Sequence, residues 1–270
     1  MQAPIFIYTA LPCEAKPLID HFRLKKDLGV DAFAVFTGAG ICLTVTGIGK
    51  SAMAAGVAYS QARYAPNQPP VLLNIGIAGH RDHPLGELFL AHKITDAGRD
   101  KAYYPPLVFK PPCRTESLET YAKAQLAYHH ASLCDMEASA FYETAIRFTT
   151  GEVVQTLKVI SDNAAHPATH ITPATASAQI AAHIGIISPF ITQLQGLAQT
   201  LALPEPEGLK EILARHHFTS NTQQQLSDKL RRWQLITGQP IAVPSIPELK
   251  DAKALLRWLD ERLQEQMFYL

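Results

Sequence analysis

The chain has 270 residues, 47% of them hydrophobic, and its 24 Lys and Arg residues balance its 24 Asp and Glu residues. This composition supports a buried core and excludes a disordered chain, and the zero net charge argues against a nucleic-acid-binding protein. The four cysteines are scattered without a CxxC pair, and the first residues show no signal-peptide pattern. We therefore expect reduced thiols, no zinc site and a cytoplasmic location.

Residues 1–203 alternate short apolar runs with alanine-rich stretches, which is typical of an α/β sandwich. The predicted strands are 4–10, 32–36, 41–47, 71–77, 87–95 and 153–161. The predicted helices are 14–22, 50–64, 136–147 and 176–201. Residues 98–133 show no clear element, and their proline pairs indicate loops, because proline interrupts both helices and strand ladders.

The stretch between Asp162 and Glu205 contains no Asp, Glu, Lys or Arg, a feature that membrane spans share. Glutamine, histidine, serine and proline interrupt it, whereas a spanning helix needs ~20 predominantly apolar residues. Its aliphatic residues recur at helical spacing, at Ile180, Ile184, Ile187, Ile191 and Leu194. We therefore predict a helix packed against the sheet and no membrane association.

The composition changes after Pro204, because residues 205–270 hold 18 of the 48 charged residues in a quarter of the length. Three amphipathic helices are predicted there. The middle helix carries an apolar stripe formed by Leu226, Leu230 and Trp233. The last helix begins with the capping box Ser245-Ile246-Pro247-Glu248 and buries Leu249, Ala252, Leu256, Leu259 and Leu263. We predict an α/β domain over 1–203 and a helical C-terminal appendage over 204–270.

The segment Thr46-Gly47-Ile48-Gly49-Lys50-Ser51 has some features of a phosphate-binding loop. A Walker A loop requires a glycine where this chain has Thr44, and the acidic residue of a dinucleotide-binding motif is absent further on. A strand–turn–helix whose glycines permit close packing explains the segment without a nucleotide. The histidines do not show metal-ligand spacing within a regular element, so no metal site is expected.

Acidic residues lie where predicted buried strands end. Glu14 follows the first strand, Asp162 closes the last, and Asp135 and Glu137 flank Met136 at the start of an alanine-rich helix. In an open α/β sheet, ligands bind in the crevice outside the carboxyl ends of the strands. Carboxylates that converge there without a cluster of bases indicate acid–base chemistry or hydroxyl binding. Each of them also has an alternative role as a helix cap or turn former.

Four segments carry motifs in a recognisable order. They are Thr9-Ala10-Leu11-Pro12-Cys13-Glu14, Thr46-Gly47-Ile48-Gly49-Lys50, Leu73-Asn74-Ile75-Gly76-Ile77-Ala78-Gly79, and Asp135-Met136-Glu137-Ala138 followed by Val159-Ile160-Ser161-Asp162. In this order they resemble the purine nucleoside phosphorylase and methylthioadenosine/S-adenosylhomocysteine nucleosidase superfamily. The resemblance covers about residues 1–203 and implies a three-layer α/β/α sandwich with a central mixed sheet, here followed by the helical appendage.

The resemblance also implies a role for each carboxylate. Asp162 would protonate or hydrogen-bond N7 of a purine leaving group, Glu137 would hold the ribose hydroxyls, and Glu14 would position or deprotonate the attacking water. The substrate-binding residues that it implies are Met136, Glu137, Gly76, Ile77, Ala78, Lys158 and Ser161. Carboxylates near the anomeric carbon suit the oxocarbenium-like transition state of glycosidic cleavage.

Three departures from the superfamily pattern bear on the reaction. Ile77 stands where many relatives have a hydroxyl residue, and Lys158 stands where nucleosidases often carry an arginine. No arginine occupies the loop after the first strand, where phosphorylases bind phosphate. Because phosphate binding relies on clustered donors and positive charge, hydrolysis is favoured over phosphorolysis.

The resulting hypothesis is an N-ribosyl hydrolase that acts on a purine nucleoside or 5′-modified nucleoside without a metal or organic cofactor. The superfamily implies a homodimer or higher homo-oligomer. A phosphate-dependent phosphorylase and a non-catalytic nucleoside- or base-binding protein on the same fold stay open as alternatives. The segment before Asp135 is short, and Tyr103, Tyr104 and Tyr128 are the candidates for stacking on the base.

Overall fold

The computed structural model describes residues 3–64, 69–125, 127–128, 131–201 and 204–267. The chain divides into two compact units, Met1–Ala202 and Leu203–Leu270. The first contains strands and helices and is called the α/β unit below, and the second is the helical unit. The candidate site lies within the α/β unit.

The α/β unit contains ten strands and five α-helices among its described residues. The strands are β1 Ile5–Thr9, β2 Lys25–Lys26, β3 Ala34–Gly38, β4 Ile41–Val45, β5 Val71–Gly79, β6 Leu88–Asp96, β7 Lys101–Tyr103, β8 Arg114–Thr120, β9 Leu133–Asp135 and β10 Val154–Asp162. The helices are α1 Pro12–Phe22, α2 Lys50–Tyr64, α3 Ala138–Ala145, α4 Pro173–Ala181 and α5 Ile184–Leu201. Short 3-10 turns occupy Gly151–Val153 and Ala168–His170.

The ten strands form one mixed sheet in the order β10-β6-β8-β9-β5-β1-β4-β3-β2, with β7 paired to β6. β1 pairs in parallel with both β4 and β5, and β10 pairs in parallel with β5. Because β10 also pairs with β6, the strands β5, β10, β6, β8 and β9 close into a ring. The carboxyl ends of the parallel strands β1, β5 and β10 therefore meet at one edge, which is where an α/β sheet binds ligands.

The two faces of the sheet pack against different helices. In β1, Ile5 and Ile7 join a core cluster with residues of α1, α4 and α5, whereas Phe6 and Tyr8 join a second cluster with residues of α2 and α3. Successive side chains of a strand point to opposite faces, so one buried strand supplies both clusters. This arrangement is the predicted three-layer α/β/α sandwich with a central mixed sheet, and the prediction is confirmed.

The segment 98–133, for which no clear element was predicted, contributes β7, β8 and the first residue of β9, and β8 and β9 form the far side of the ring. One predicted feature of the α/β unit is wrong. The predicted helix 176–201 is two helices, α4 and α5, because the helix is interrupted at residues 182–183. The Nε2 of His183 lies 2.6 Å from the carbonyl oxygen of Gly86 at this point. Among the described residues no single helix is long and apolar enough to cross a membrane, and α4 with α5 meets those criteria only as a pair bent by 58°.

The helical unit contains the helices α6 Leu209–Arg215, α7 Ser220–Thr237 and α8 Ala252–Met267. The three predicted helices are therefore present, and Leu226, Leu230 and Leu259 are buried in their common core. The predicted capping box at Ser245 is wrong, because Val243–Ser245 form a 3-10 turn and α8 begins seven residues later. Asp251 caps α8 instead, its carboxylate accepting a hydrogen bond of 2.7 Å from the backbone N–H of Ala254.

Candidate active site

A cavity of about 160 Å³ opens at the carboxyl ends of β1, β5 and β10. Its wall includes seven of the nine predicted site residues, which are Glu14, Ile77, Ala78, Met136, Glu137, Ser161 and Asp162. The remaining wall residues are Ala10, Leu11, Ile48, Gly79, Ala124, Gln125, Cys134, Asp135, Ala168 and Ile171. The other two predicted residues, Gly76 and Lys158, lie directly behind Glu14, so the structure brings all nine together.

Glu14 is held by three backbone N–H groups in a buried position. Its Oε2 accepts hydrogen bonds from Ala10 at 2.9 Å and Leu11 at 2.8 Å, at the start of α1, and its Oε1 accepts one from Ile77 of β5 at 2.9 Å. The carboxylate thus caps the helix and also faces the cavity. Burial raises the pKa of Glu14 above its ordinary value, although the charge of Lys158 and the three N–H donors partly offset this.

Gly76 is required next to Glu14. A Cβ at position 76 would lie 2.8 Å from Oε1 of Glu14 and 3.4 Å from Nζ of Lys158. Real side chains do not approach that closely, so a larger residue would displace the glutamate. The glycine that the sequence motif supplies in β5 therefore makes room for the carboxylate.

Glu137 joins the turn between β4 and α2 to the cavity. Its Oε1 accepts a hydrogen bond of 2.7 Å from the backbone N–H of Gly49. Gly47 and Gly49 have φ of +87° and +98°, which favour glycine, so the segment that resembled a phosphate loop is a turn that presents an N–H to Glu137. Burial, and to a smaller extent the charge of Asp135, raises the pKa of Glu137 to about 7. This carboxyl therefore changes its protonation state near neutral pH.

Lys158 is the buried cation of the site. Its Nζ lies 2.9 Å from Oδ2 of Asp135, and both side chains are at most 2% exposed. Asp135 also accepts hydrogen bonds from the Thr120 hydroxyl at 2.7 Å and from the Ala138 N–H at 2.8 Å. Burial alone would lower the pKa of Lys158, but the surrounding carboxylates raise it, so the side chain stays protonated.

Asp162 ends β10 beside an irregularity in the strand pairing. Ile160 pairs with Ala78 and Asp162 with Gly79, which leaves Ser161 as an extra residue in β10. Such bulges redirect side chains and are frequent next to active sites. The Ser161 hydroxyl donates to Oδ1 of Asp162 at 2.5 Å, and the Tyr128 hydroxyl donates to Oδ2 at 2.5 Å.

One group of described residues has the spacing of metal ligands, namely His80, His83 and Glu116, whose ligand atoms lie within 4.8 Å of one another. His80 Nδ1 accepts hydrogen bonds from the backbone N–H groups of Asp82 and His83 at 3.0 and 2.9 Å, so its lone pair is already engaged. Burial and the neighbouring His83 lower the pKa of His80. The two rings also stack with their centroids 3.9 Å apart. This group is therefore better explained as packing in the turn after β5.

The helical unit has a cavity of its own, of about 430 Å³. Its wall is formed by Trp233, Ile241, Ser245, Pro247, Trp258 and Arg262. Among the described residues of that wall there is no carboxylate, and the charged side chain, that of Arg262, bonds Glu265 at 2.6 Å. The acid–base groups are thus concentrated in the smaller cavity of the α/β unit.

Some features of the site were not predicted from the sequence. Tyr128 was a candidate for stacking on a base, whereas its hydroxyl bonds Asp162. The bond from Gly49 to Glu137 and the bond from Thr120 to Asp135 were also missed. Each joins residues that are between 15 and 88 positions apart, and no local pattern marks such pairs.

Comparison with known proteins gives matches at the level of structure alone. No family model matches the sequence, and no curated protein matches it. A Helicobacter pylori MTAN mutant with 5′-methylthioadenosine in its active site is similar at a TM-score of 0.60 and 14% identity, over 72% of this chain and 100% of that one.

Two further solved structures are similar over the same share of the chain. Arabidopsis thaliana 5′-methylthioadenosine nucleosidase has a TM-score of 0.59 and 16% identity, and 97% of it is covered. Futalosine hydrolase of Helicobacter pylori has a TM-score of 0.55 and 16% identity, and 99% of it is covered. The chain therefore has the fold that these nucleosidases share, as the resemblance of its motifs predicted.

Proposed function

We propose that this protein hydrolyses the N-glycosidic bond of a purine nucleoside or 5′-modified nucleoside. The observation that carries the proposal is that Glu14, Glu137 and Asp162 meet on the wall of one cavity at the carboxyl ends of three parallel strands. The substrate class comes from the superfamily resemblance and from similar solved structures, one of which holds 5′-methylthioadenosine. The nine site residues named from the sequence are the residues we assign to this reaction.

The leaving base is assigned to Asp162. In the proposed reaction the carboxyl of Asp162 donates a proton to N7 of the purine while the electron pair of the C1′–N9 bond moves to the base. A proton donor at this point contributes about 10²–10⁴-fold to the rate of such reactions. The Ser161 hydroxyl donates to Oδ1 of Asp162 and so supports the orientation of the carboxyl group.

The sugar and the water are assigned to Glu137 and Glu14. The ionised Glu137 accepts hydrogen bonds from the ribose hydroxyls, and Met136 packs on the sugar beside it. Glu14 takes a proton from the water whose oxygen bonds to C1′, and both carboxyl groups then exchange protons with solvent. Positive charge develops on the sugar, and nearby carboxylates stabilise it.

The charge of the cavity wall supports hydrolysis rather than phosphorolysis. None of the described wall residues is an Arg, Lys or His. The nearest cation, Lys158, is fully buried and bonded to Asp135. Phosphate is bound in proteins by clustered N–H donors and positive charge, whereas the N–H groups of Ala10, Leu11 and Ile77 on this wall are already engaged by Glu14. Ile77, with an apolar side chain, lies on the wall as well.

Three further assignments belong to this proposal. Residues 1–203 form the catalytic domain, and residues 204–270 form a helical appendage. The protein is at least a homodimer, which the superfamily implies, and the exposed apolar side chains of Tyr104 and Val108 support an interface. A cytoplasmic location is supported by the four cysteines, which are all unpaired.

Base release from a panel of purine nucleosides and 5′-modified adenosines, with and without phosphate, tests the function. We expect release without phosphate and its loss in Asp162→Asn, while the exposed Asp20→Asn serves as the matched control. Release that requires phosphate would identify a phosphorylase instead. Binding of nucleosides by the wild-type protein without any release would identify a binding protein and would contradict the proposal.

A further inference from the structure

Tyr128 makes two directed hydrogen bonds beside the candidate general acid. The backbone N–H of Ala168 donates to its hydroxyl oxygen at 3.1 Å, so the hydroxyl hydrogen is free to point at Oδ2 of Asp162, 2.5 Å away. The side chain is only 5% exposed. Because the hydroxyl oxygen accepts from Ala168 and an ionised carboxylate can only accept, the Tyr128 hydroxyl donates to Asp162.

The surroundings of Tyr128 are adapted to this contact. Its backbone has φ of +44°, an uncommon conformation for a tyrosine that persists only where the surrounding structure enforces it. On the other side, a Cβ at Gly79 would lie 2.6 Å from Oδ2 of Asp162 and 3.2 Å from the Tyr128 ring. The left-handed backbone of Tyr128 and the missing side chain of Gly79 therefore both permit the short contact between Tyr128 and Asp162.

We propose that Tyr128 is a positioning residue that, together with Ser161, fixes the plane of the Asp162 carboxyl group towards the leaving base. A carboxylate offers about four lone-pair sites, so the two hydroxyls leave sites free for the base. Rotation of the carboxyl group would break both hydroxyl bonds at once. The assignment rests on the proposed hydrolysis.

Tyr128 is not itself the source of the transferred proton. Burial, followed by the hydrogen bond to Asp162 and its charge, raises the pKa of Tyr128 above its ordinary value. The hydroxyl therefore keeps its proton while Asp162 and the base exchange theirs. Its contribution is geometric, and a displacement of about 1 Å in a reacting group can lower a rate about 100-fold.

Tyr128→Phe removes the hydroxyl and keeps the ring. We expect kcat for base release to fall about 10- to 100-fold with KM changed less than about 3-fold, because Asp162 acts on the transition state. Tyr121→Phe is the matched control, since the Tyr121 hydroxyl donates to a carboxylate in the same way, but its partner Glu119, unlike Asp162, is not on the cavity wall. That variant should keep the wild-type kcat. In an Asp162→Asn background, Tyr128→Phe should cause no further loss, because it acts through Asp162.

Three results would overturn this inference but not the proposed function. The first is a kcat for Tyr128→Phe equal to that of the wild type, and the second is a loss of kcat in Tyr121→Phe as large as that in Tyr128→Phe. The third is a full further loss of kcat when Tyr128→Phe is added to Asp162→Asn. Absence of base release by the wild type would overturn the proposed function and the positioning role with it. An NMR spectrum of protein labelled with ¹³C at the aspartate carboxyl carbon tests the contact between Tyr128 and Asp162 without requiring base release. The Asp162 signal, identified by its loss in Asp162→Asn, should shift in Tyr128→Phe and stay in place in Tyr121→Phe.

Discussion

Replacing Lys158 with methionine tests whether one buried cation holds the carboxylates of the site together. The variant keeps the length and most of the volume of the side chain but leaves Asp135 without its ion-pair partner at 2.9 Å. Glu14 and Glu137 also lose the positive charge that acts on them. A buried carboxylate that loses its partner is uncompensated, and such losses cost about 3–5 kcal/mol.

This cost predicts a large change in thermal stability. A unit the size of Met1–Ala202 loses about 2–4 °C of melting temperature for each kcal/mol, so Lys158→Met should melt about 6–20 °C below the wild type. The matched control is Lys16→Met, which removes an ion pair with Asp20 whose side chains are 68% and 61% exposed. Exposed pairs contribute about 0–1 kcal/mol, so the control should melt close to the wild type.

Differential scanning calorimetry of the full chain measures both variants. The double variant Lys158→Met/Asp135→Asn should recover part of the loss, because it removes both charges of the pair. A melting temperature for Lys158→Met within the range of Lys16→Met would refute the reasoning. It would mean that Asp135 is satisfied by Thr120 and Ala138 alone.

Three further predictions concern other parts of the chain. The kcat/KM for base release should rise with pH to a plateau above about 7, as Glu137 ionises, and Glu137→Gln should remove that rise. The free energy of unfolding should fall as the pH rises from 4.5 to about 7, because the folded protein holds the Glu137 proton more tightly than the unfolded chain. Gly76→Ala should lower kcat at least about 10-fold by displacing Glu14, whereas Gly196→Ala, with no atom near its Cβ position, should not. Leu259→Ala, in the core of the helical unit, should lower the free energy of unfolding of that unit by about 2–5 kcal/mol, measured by urea denaturation.

The central strands could be predicted from the sequence because they are buried on both faces. β1 and β5 are largely apolar, β10 carries Val, Leu and Ile between polar residues, and the predicted ranges agree with the three strands within two residues at each end. β8 could not be found this way, since Arg114–Thr120 is largely polar and only two of its side chains are buried. Its conformation depends on pairing with β6 and β9, which is a long-range contact that local residues do not encode.

The same distinction applies to the candidate site. Glu14 and Asp162 could be predicted to meet because they follow β1 and β10, which both pair in parallel with β5, and the topology of parallel strands fixes where their ends lie. Glu137 follows β9, which is antiparallel to β5, so its place was implied by the resemblance alone. Tyr128 could not be assigned to Asp162, since it lies outside any predicted element and reaches the site with a left-handed backbone. The pKa of Glu137 could not be predicted either, because it depends on burial and on the distance to Asp135.

The imbalance of charge around Lys158 connects the structure to the proposed reaction. Three carboxylates, of Asp135, Glu137 and Glu14, act on this one cation, so the site is negative when all are ionised. Burial opposes that charge, which is why the pKa values of Glu14 and Glu137 are raised. A sugar that gains positive charge in the transition state relieves this repulsion, whereas a neutral ground state relieves it less, and only such a difference accelerates a reaction. A phosphate anion would add to the repulsion, so the same imbalance that suits an oxocarbenium-like state favours water as the nucleophile.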